Sequence, residues 1–494
     1  MLSSAGLYAE TKRPSLIVII AADQIRADYM ERYHSDLCSD GLRRFRDQGI
    51  YFTQARMDHA VTKTSPGHVL YGSGIYAAQS GIVANEWFDT RSNTVVSAAQ
   101  LIPGRPRVQL KWFVGTSLAQ RVHRVFPKSR FISLSLKDRG SLLLGGPDQD
   151  DAYWWDLKLK KYVGYHASAA WLDDFNNALP SFLTEHTTWT QLVNPSMEYA
   201  KQIEAVHERI KNYISDDAGI GLTFPHPIAN VDALQITPYS DELSEKLAEQ
   251  VVDHFHVGHN PSGAPDVLTV SFSAVDLVGH EFGPDSFEVR DAFLRLDRMV
   301  AQLMDNLTRK VGPNIVWSFS SDHGVTPLPE LSVARHQPGG RVRFTVASLP
   351  DKNGIKATSS PFIYLSDPAV QADLKKRLET REGISAVYTS AQLRAGKAPS
   401  AILHSYYKPA PGAPERCGDL FVVLKPGYIF SDNNFGTTHG QPTDDDQRVP
   451  LGFYGAGIAP RVADDSVSVA VAAPSLLKLL EIDAPDLAPA VSLR

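Results

Sequence analysis

Cysteine is scarce in this chain: its 494 residues include only Cys38 and Cys417. The two are far apart, and neither has metal-ligand spacing. That excludes a disulfide-built scaffold and a cysteine-based zinc site, and leaves two free thiols or one long-range bridge. Long apolar runs are missing as well. No stretch approaches the roughly 18 residues of a membrane-spanning helix. The one early apolar run, Leu16–Ala22, meets Asp23 at once and reads as a buried strand. A basic excess is also absent: the formal net charge is -6, which argues against a nonspecific nucleic-acid surface. The first fourteen residues hold no apolar core of signal-peptide length. Internal repeats and low-complexity tracts are absent.

What is present is apolar material for a large core, 43% of the residues, arranged as alternating strands and helices. Leu16–Ala22, Arg130–Leu136, Val267–Ser273, Ile315–Ser320 and Val449–Tyr454 read as short apolar strands. The clearest helix runs from about Ser286 to Lys310, with Val289, Phe293, Leu296, Met299, Val300, Leu303 and Leu307 recurring at three and four. Asp285 followed by Glu288 resembles a capping box at its start. The alternation predicts an α/β fold with a mostly parallel central sheet and helices on both faces. Two regions break it, and the organisation expected is a discontinuous core (1–145, 233–340 and 430–494) with insertions at 146–232 and 341–429. The aromatic DAYWWD segment of the first insertion either lines a cleft or packs that insertion.

In open parallel sheets, chemistry gathers beyond the carboxyl ends of the strands. Metal-type ligands sit there: Asp23 after LIVIIAA, Asp276 and His280 after VLTVSFSAV, Asp322 and His323 after NIVWSFSS, and His439 in GTTHGQP before RVPLGFYG. Three carboxylates and three imidazoles suit two zinc ions, which take Asp oxygen and His nitrogen. VTKTSPGHVLYGSG adds a nucleophile. Ser65-Pro66 reads as a helix start, so Thr64 presents its hydroxyl at the positive helix end, where an anion also binds well; alternatively Thr64 is only an N-cap. Thr62 competes with it, and His68 reads as packing. Lys137 and Arg139 follow the strand RFISLSL. They are either surface residues or reach the site, and Asp138 alternates away if the strand continues. The acidic run Asp444–Asp446 is a third metal site or, more simply, a solvated loop.

Taken in order, Asp23, TSPGH, GIVAN, the D-x-x-x-H of Asp276 and His280, the DHG of Asp322–Gly324 and the THG of His439 resemble the alkaline phosphatase superfamily. The branch is that of the type I phosphodiesterase/nucleotide pyrophosphatase relatives, and within it the chain is most similar to bacterial alkaline phosphatases with a threonine nucleophile. The resemblance runs from residue 15 to about 460 and is weakest in the two insertions. It implies that Asp23, Thr64, Asp322 and His323 hold one zinc and that Asp276, His280 and His439 hold the other. The family places an asparagine 21 residues after the nucleophile, which here is Asn85. That favours Thr64 over Thr62 and gives Asn85 a nonbridging phosphate oxygen. In the monoesterases of this branch an SLKDRG-like segment supplies a lysine and an arginine to the phosphate, so Lys137 and Arg139 are expected to bind substrate.

The expected activity is hydrolysis of small-molecule phosphate monoesters through a phosphothreonine at a two-zinc site. The resemblance also implies a periplasmic or secreted protein, although no export leader is visible and a cytoplasmic location stays open. The alternative is a phosphodiesterase or nucleotide pyrophosphatase with the same metals, against which Lys137 and Arg139 argue. A sulfatase needs a modified Cys or Ser in a C/S-x-P-x-R context. Cys38 precedes SDGL and Cys417 precedes GDLF, so neither fits. A noncatalytic binding protein would not need so complete a ligand set.

Overall fold

A computed structural model describes residues 13–166, 169–216, 219–350, 352–410 and 415–494. Nearly all of the N-terminal stretch read for an export leader therefore lies outside the described residues. The centre is a nine-stranded sheet built from β1 (Leu16–Ala22), β2 (Ile50–Arg56), β3 (Phe131–Ser135), β4 (Asp151–Asp156), β5 (Lys161–Gly164), β6 (Asp266–Phe272), β7 (Ile315–Ser320), β8 (Leu451–Gly455) and β9 (Arg461–Ser468). In space their order is β9-β2-β8-β7-β1-β6-β3-β4-β5. Only β5 and β8 run against the rest. The expected fold class is correct, and all five apolar segments picked from sequence are strands of this sheet.

β1 shows why the sheet sits where it does. Successive side chains of a strand point to opposite faces, and those of β1 are apolar on both. Leu16, Val18 and Ile20 join one buried layer, while Ile17, Ile19 and Ala21 join the other. The first layer is capped by α3 (Tyr239–Phe255) and α5 (Phe287–Val311). The second is capped by α1 (Thr64–Ser73) and the helix Ala472–Leu479. A strand buried on both faces reads as a continuous apolar run, as this one does.

The long helix α5 matches its expected span, but its cap differs. Ser286, not Asp285, occupies the N-cap and accepts from the Val289 backbone N–H at 3.1 Å. A larger correction concerns residues 151–164. They fall within the expected 146–232 insertion, yet β4 and β5 extend the central sheet, β4 pairing in parallel with β3. DAYWWD is therefore a sheet strand. Beyond β7 the chain builds a separate four-stranded antiparallel sheet from Ile355–Ser359, Phe362–Leu365, Leu420–Leu424 and Ile384–Thr389. It has its own apolar cluster with Leu374 and Leu378. Cys38 and Cys417 are both free thiols, which removes the long-range bridge. Among the described residues, no helix is long and apolar enough to cross a membrane.

α1 lies against α2 (Asp138–Gly145) at a distance only glycine permits. A Cβ at Gly72 would overlap the carbonyl oxygen of Leu144, and a backbone atom cannot step aside as a flexible side chain can. Gly72→Ala should therefore lower stability by about 1–3 kcal/mol, the usual cost of overpacking. The readout is the urea midpoint, with an unchanged slope. An unshifted midpoint would show that the two helices have room to part.

Candidate active site

Neighbouring strands β7, β1, β6 and β3 end side by side, and polar residues follow each end. Asp23 follows β1, and Asp322 and His323 follow β7. After β6, helix α4 (Ala274–Phe282) carries Asp276 in its first turn and His280 one turn later. Lys137 follows β3. β8 runs the other way and pairs Leu451 with Ser320 at the end of β7, so the loop before it brings His439 over the same edge. β2 lies antiparallel to β8 and ends at that edge too. From there the chain runs on to Thr64, the first residue of α1.

The N-terminus of α1 is more fully committed than the sequence suggested. Lys63, in extended conformation, is the N-cap. The Ser65 N–H donates to Asn85 Oδ1 at 2.8 Å, Pro66 has no N–H, and the Gly67 N–H donates to the Lys63 carbonyl at 3.0 Å. The helix dipole still favours an anion here, but most first-turn donors are spent. Asn85 keeps its amide donors, because only its oxygen is used in that bond. Thr64 Oγ1 lies 3.5 Å from His323 Nε2.

The three histidines are tethered alike. His280 Nδ1 faces the Thr437 carbonyl at 2.8 Å, His323 Nδ1 that of Gly324 at 3.0 Å and His439 Nδ1 that of Thr62 at 2.6 Å. A carbonyl only accepts, so each Nδ1 carries a proton, and each neutral ring presents a lone pair at Nε2. Those lone pairs face carboxylates. His323 Nε2 is 3.0 Å from Asp322 Oδ2, His280 Nε2 is 3.2 Å from Asp276 Oδ1, and His439 Nε2 is 3.7 Å from that same oxygen. Two acceptors this close require an extra proton or a shared cation. Ligand bonds of about 2.0–2.1 Å in a tetrahedral zinc site separate neighbouring donors by about 3.3 Å, within the observed spread. Backbone-tethered imidazoles beside carboxylates form the outer-shell arrangement that metal sites use. The residues present thus fit zinc-type ions.

Without a metal the extra proton takes its place: against the opposing effect of burial, Asp322 raises His323 to about 9, and Asp276 raises His280. Burial pushes the Asp23 carboxyl upward, and Asp322 repels its charge further. Burial also opposes ionising Asp322, but His323 and His68 outweigh it and hold Asp322 well below the usual carboxylate range. Asp276 is likewise held low, because His280 and Lys137 overcome its burial. Two sets of three have ligand-type atoms all within 4.8 Å of one another: Asp276, His323 and His439, and Asp23, His68 and Asp322. His323 and His439 stack at 3.5 Å between ring centres. His68, read from sequence as packing, lies between Asp23 and Asp322 at 3.4 Å from each. Both of its nitrogens already have partners, the Thr64 carbonyl and the Ser271 hydroxyl, so it braces the carboxylates and leaves no lone pair for a metal.

Lys137 reaches the site. Its Nζ donates to Asp23 Oδ2 at 2.6 Å and also to Asp276. The strand does not continue past it: Lys137 caps α2, and Asp138 opens that helix. Arg139, in the first turn, borders the adjoining cavity. Thr62 is a scaffold residue. Its hydroxyl donates to the Gln441 carbonyl at 3.1 Å and accepts from the Gly440 N–H at 3.1 Å.

Two further residues have roles that the sequence did not display. Gln24, at φ 67°, donates its backbone N–H to Asp322 at 3.2 Å and its side-chain amide to Asp276 at 2.7 Å. A non-glycine residue in left-handed backbone beside a site signals a functional constraint, which sequence alone does not display. Asp446 is fully buried. It accepts from the Gly440 and Gln441 N–H groups and from Thr326 Oγ1, each at 2.9 Å. Its neighbours behave differently: Asp444 pairs with Arg56, and Asp445 with Arg26. The three are therefore neither a third metal site nor a purely solvated loop.

Comparison with known proteins now places the chain. A family model described as type I phosphodiesterase / nucleotide pyrophosphatase matches residues 17–445. The chain belongs to that family. Within it, the chain is 28% identical to alkaline phosphatase PafA of Elizabethkingia meningoseptica over 523 residues, covering 96% of this chain and 92% of PafA. It is 27% identical to alkaline phosphatase PhoD of Zymomonas mobilis, covering 94% and 85% respectively. The crystal structure of PafA superposes with a TM-score of 0.82 at 25% identity over 96% of both chains.

Asp446 holds the backbone next to His439, so Asp446→Ala should weaken metal-ion binding by about 10–100-fold, as loss of a residue that orients a ligand does. Asp444→Ala, which removes a surface pair, should leave it unchanged. Competition against a chelator measures both. Equal behaviour of the two variants would mean that the loop carries no support for His439.

Proposed function

We propose that this protein is a phosphate monoester hydrolase of the alkaline phosphatase type, with Thr64 as nucleophile and two zinc ions as cofactors. The observation that carries the reading is the convergence of three buried carboxylates and three backbone-tethered imidazoles beside the Thr64 hydroxyl. Family membership makes the chain a phosphoesterase, and relatives named alkaline phosphatase along nearly the whole chain support the finer reading. Asp23, Thr64, Asp322 and His323 would hold one ion, and Asp276, His280 and His439 the other. When bound, the ions supply Lewis-acid chemistry that eases ionisation of the nucleophile and steadies charge on the leaving oxygen.

The chain's own residues do the rest. Thr64 Oγ1 attacks phosphorus, the ester P–O bond breaks and the alcohol departs with its oxygen. Water then attacks the phosphothreonine, releasing phosphate and restoring the hydroxyl. Phosphoryl transfer spreads charge over three equatorial oxygens. The Asn85 amide, the Lys137 ammonium and the Arg139 guanidinium are the donors for them, which matters because few helix-terminal N–H groups are free. A monoester dianion presents three nonbridging oxygens. A diester replaces one with an alkoxy group and gains less from two cations.

Acid-quenched enzyme incubated with substrate should carry phosphate on Thr64, and Thr64→Ala should lose that adduct while Thr62→Ala keeps it. Chelation should abolish turnover, and added zinc should restore it. Mass spectrometry locates the phosphate; an adduct on Thr62, or full activity in metal-free protein, would reject the mechanism.

The second test concerns substrate class. Charge-assisted contacts are worth about 1.5–3 kcal/mol each. Changing Lys137 and Arg139 together to Ala should therefore cut monoester kcat/KM by roughly two orders of magnitude or more and spare the matching aryl diester. A wild-type preference for diesters would favour the nucleotide pyrophosphatase reading.

A further inference from the structure

Residues 57–63, which join β2 to α1, form no strand or helix, yet most of them are buried. Buried backbone groups need partners. The Met57 N–H donates to the Gln447 carbonyl at 2.8 Å, and the Lys63 N–H to the Val61 carbonyl at 2.9 Å. Those of Ala60 and Val61 converge instead on one oxygen, the Ser405 hydroxyl, at 2.7 and 3.1 Å. Ser405 is fully buried and ends the helix Ser400–Ser405, which lies in the chain between two strands of the separate four-stranded sheet. Its own proton goes to the Ala401 carbonyl at 3.1 Å, so the one proton and two lone pairs of the hydroxyl are all in use. Ala60 has a second acceptor, the Ala401 carbonyl at 2.9 Å. Val61 has none among the described residues. The same region makes two more contacts with this segment: His404 Nδ1 donates to the Asp58 carbonyl at 2.9 Å, and the Lys63 ammonium donates to the Ser360 carbonyl at 2.7 Å.

We propose that Ser405 is a positioning residue, through which the region of the four-stranded sheet holds His439 and the nucleophile segment in place. The roles of His439 and Thr64 in this proposal rest on the monoesterase reading. Val61 directly precedes Thr62, whose carbonyl takes the His439 Nδ1 proton at 2.6 Å and whose hydroxyl meets the Gly440 N–H. Thr64 follows two residues on. The His439 loop is tied to the same region, because the Leu424 N–H donates to Gln441 Oε1 at 2.9 Å. Both sides of the contact between Thr62 and His439 are therefore anchored outside the central sheet. Asp446 fixes the backbone after His439, and Ser405 fixes the segment against which the His439 ring rests. Without the Ser405 hydroxyl, the buried Val61 N–H loses its acceptor, which is costly. The segment then shifts to find another, and the Thr62 carbonyl shifts with it.

The test compares full-length Ser405→Ala with Leu374→Ala, which thins the apolar cluster of the same sheet and leaves the Ser405 contacts in place. The first readout is the His439 Nδ1–H resonance in metal-free protein carrying isotope-labelled histidine, assigned by its loss in His439→Asn. That proton should exchange slowly with water in the wild type and in Leu374→Ala, and should broaden or vanish in Ser405→Ala. The second readout is zinc affinity by competition against a chelator. Ser405→Ala should weaken it by about tenfold, the low end for losing support to a ligand, and aryl monoester kcat/KM should fall by a similar factor. Leu374→Ala should lower the urea midpoint and leave zinc affinity and kcat/KM at wild-type levels. An unchanged resonance with unchanged zinc affinity in Ser405→Ala, or equal losses in the two variants, would overturn the proposal. If the resonance responds as expected but the wild type neither binds zinc nor hydrolyses a monoester, the monoesterase reading falls and the hold of Ser405 on His439 stands.

Discussion

Asp23, Asp276 and Asp322 lie together almost wholly out of contact with water, and like charges in a low-dielectric interior repel strongly. Much of the surrounding structure counters that repulsion. Lys137 bridges Asp23 and Asp276, Gln24 ties Asp276 to Asp322, and His68 braces Asp23 against Asp322. Each contact joins segments far apart in sequence, so the cluster clamps the carboxyl ends of β7, β1, β6 and β3 together. Burying such a set without compensation would be costly. Its persistence in the fold is the physical argument for cations at this edge.

The histidines add a second constraint. A ring free to choose its tautomer and to rotate makes a poor metal ligand, and each of these three is fixed by a backbone carbonyl at Nδ1. Two of those carbonyls, Thr62 and Thr437, belong to loops with no regular ladder to hold them. Asp446 is the anchor for one of these loops. It gathers the Gly440 and Gln441 N–H groups while the Thr62 hydroxyl meets that same Gly440 N–H. Positioning His439 therefore reduces to satisfying a few buried donors with one carboxylate. The upward shift of Asp446 to about 6, set mainly by its burial, reflects how completely this carboxylate has been withdrawn from water.

These two layers differ in how legible they are from sequence. Strands buried on both faces announce themselves as apolar runs, and residues just past their ends stand out because polarity returns abruptly, as at Ala22-Asp23. The residues that hold those side chains in place carry no such mark. Asp446 sits in an acidic triplet whose other members are surface partners, so composition hides it. His68 follows Thr64 by four and looks like any helix-facing side chain. β4 and β5 lie at the end of the sheet, and β4 mixes aromatics with acids as DAYWWD, which resembles an insertion more than a sheet strand. The Ser286 cap was masked by an equally plausible Asp285 one residue earlier.

Thr64 illustrates how backbone geometry sets the last distance. Its hydroxyl lies beside His323 only because α1 approaches the segment after β7 very closely. The approach runs through Gly67, where a Cβ would overlap the carbonyl oxygen of Asp322. A helix-favouring residue there would improve the intrinsic stability of α1 but would drive its N-terminus away from the carboxylates. Glycine at this position has a local cost in helix propensity, and it lets the Thr64 hydroxyl stand within reach of the residues after β7. Gly72 repeats the compromise one and a half turns later against α2, the helix that follows Lys137. Thr64 and the segment of Lys137 are thus brought toward the carboxylates by the same helix, through two positions at which a side chain is forbidden.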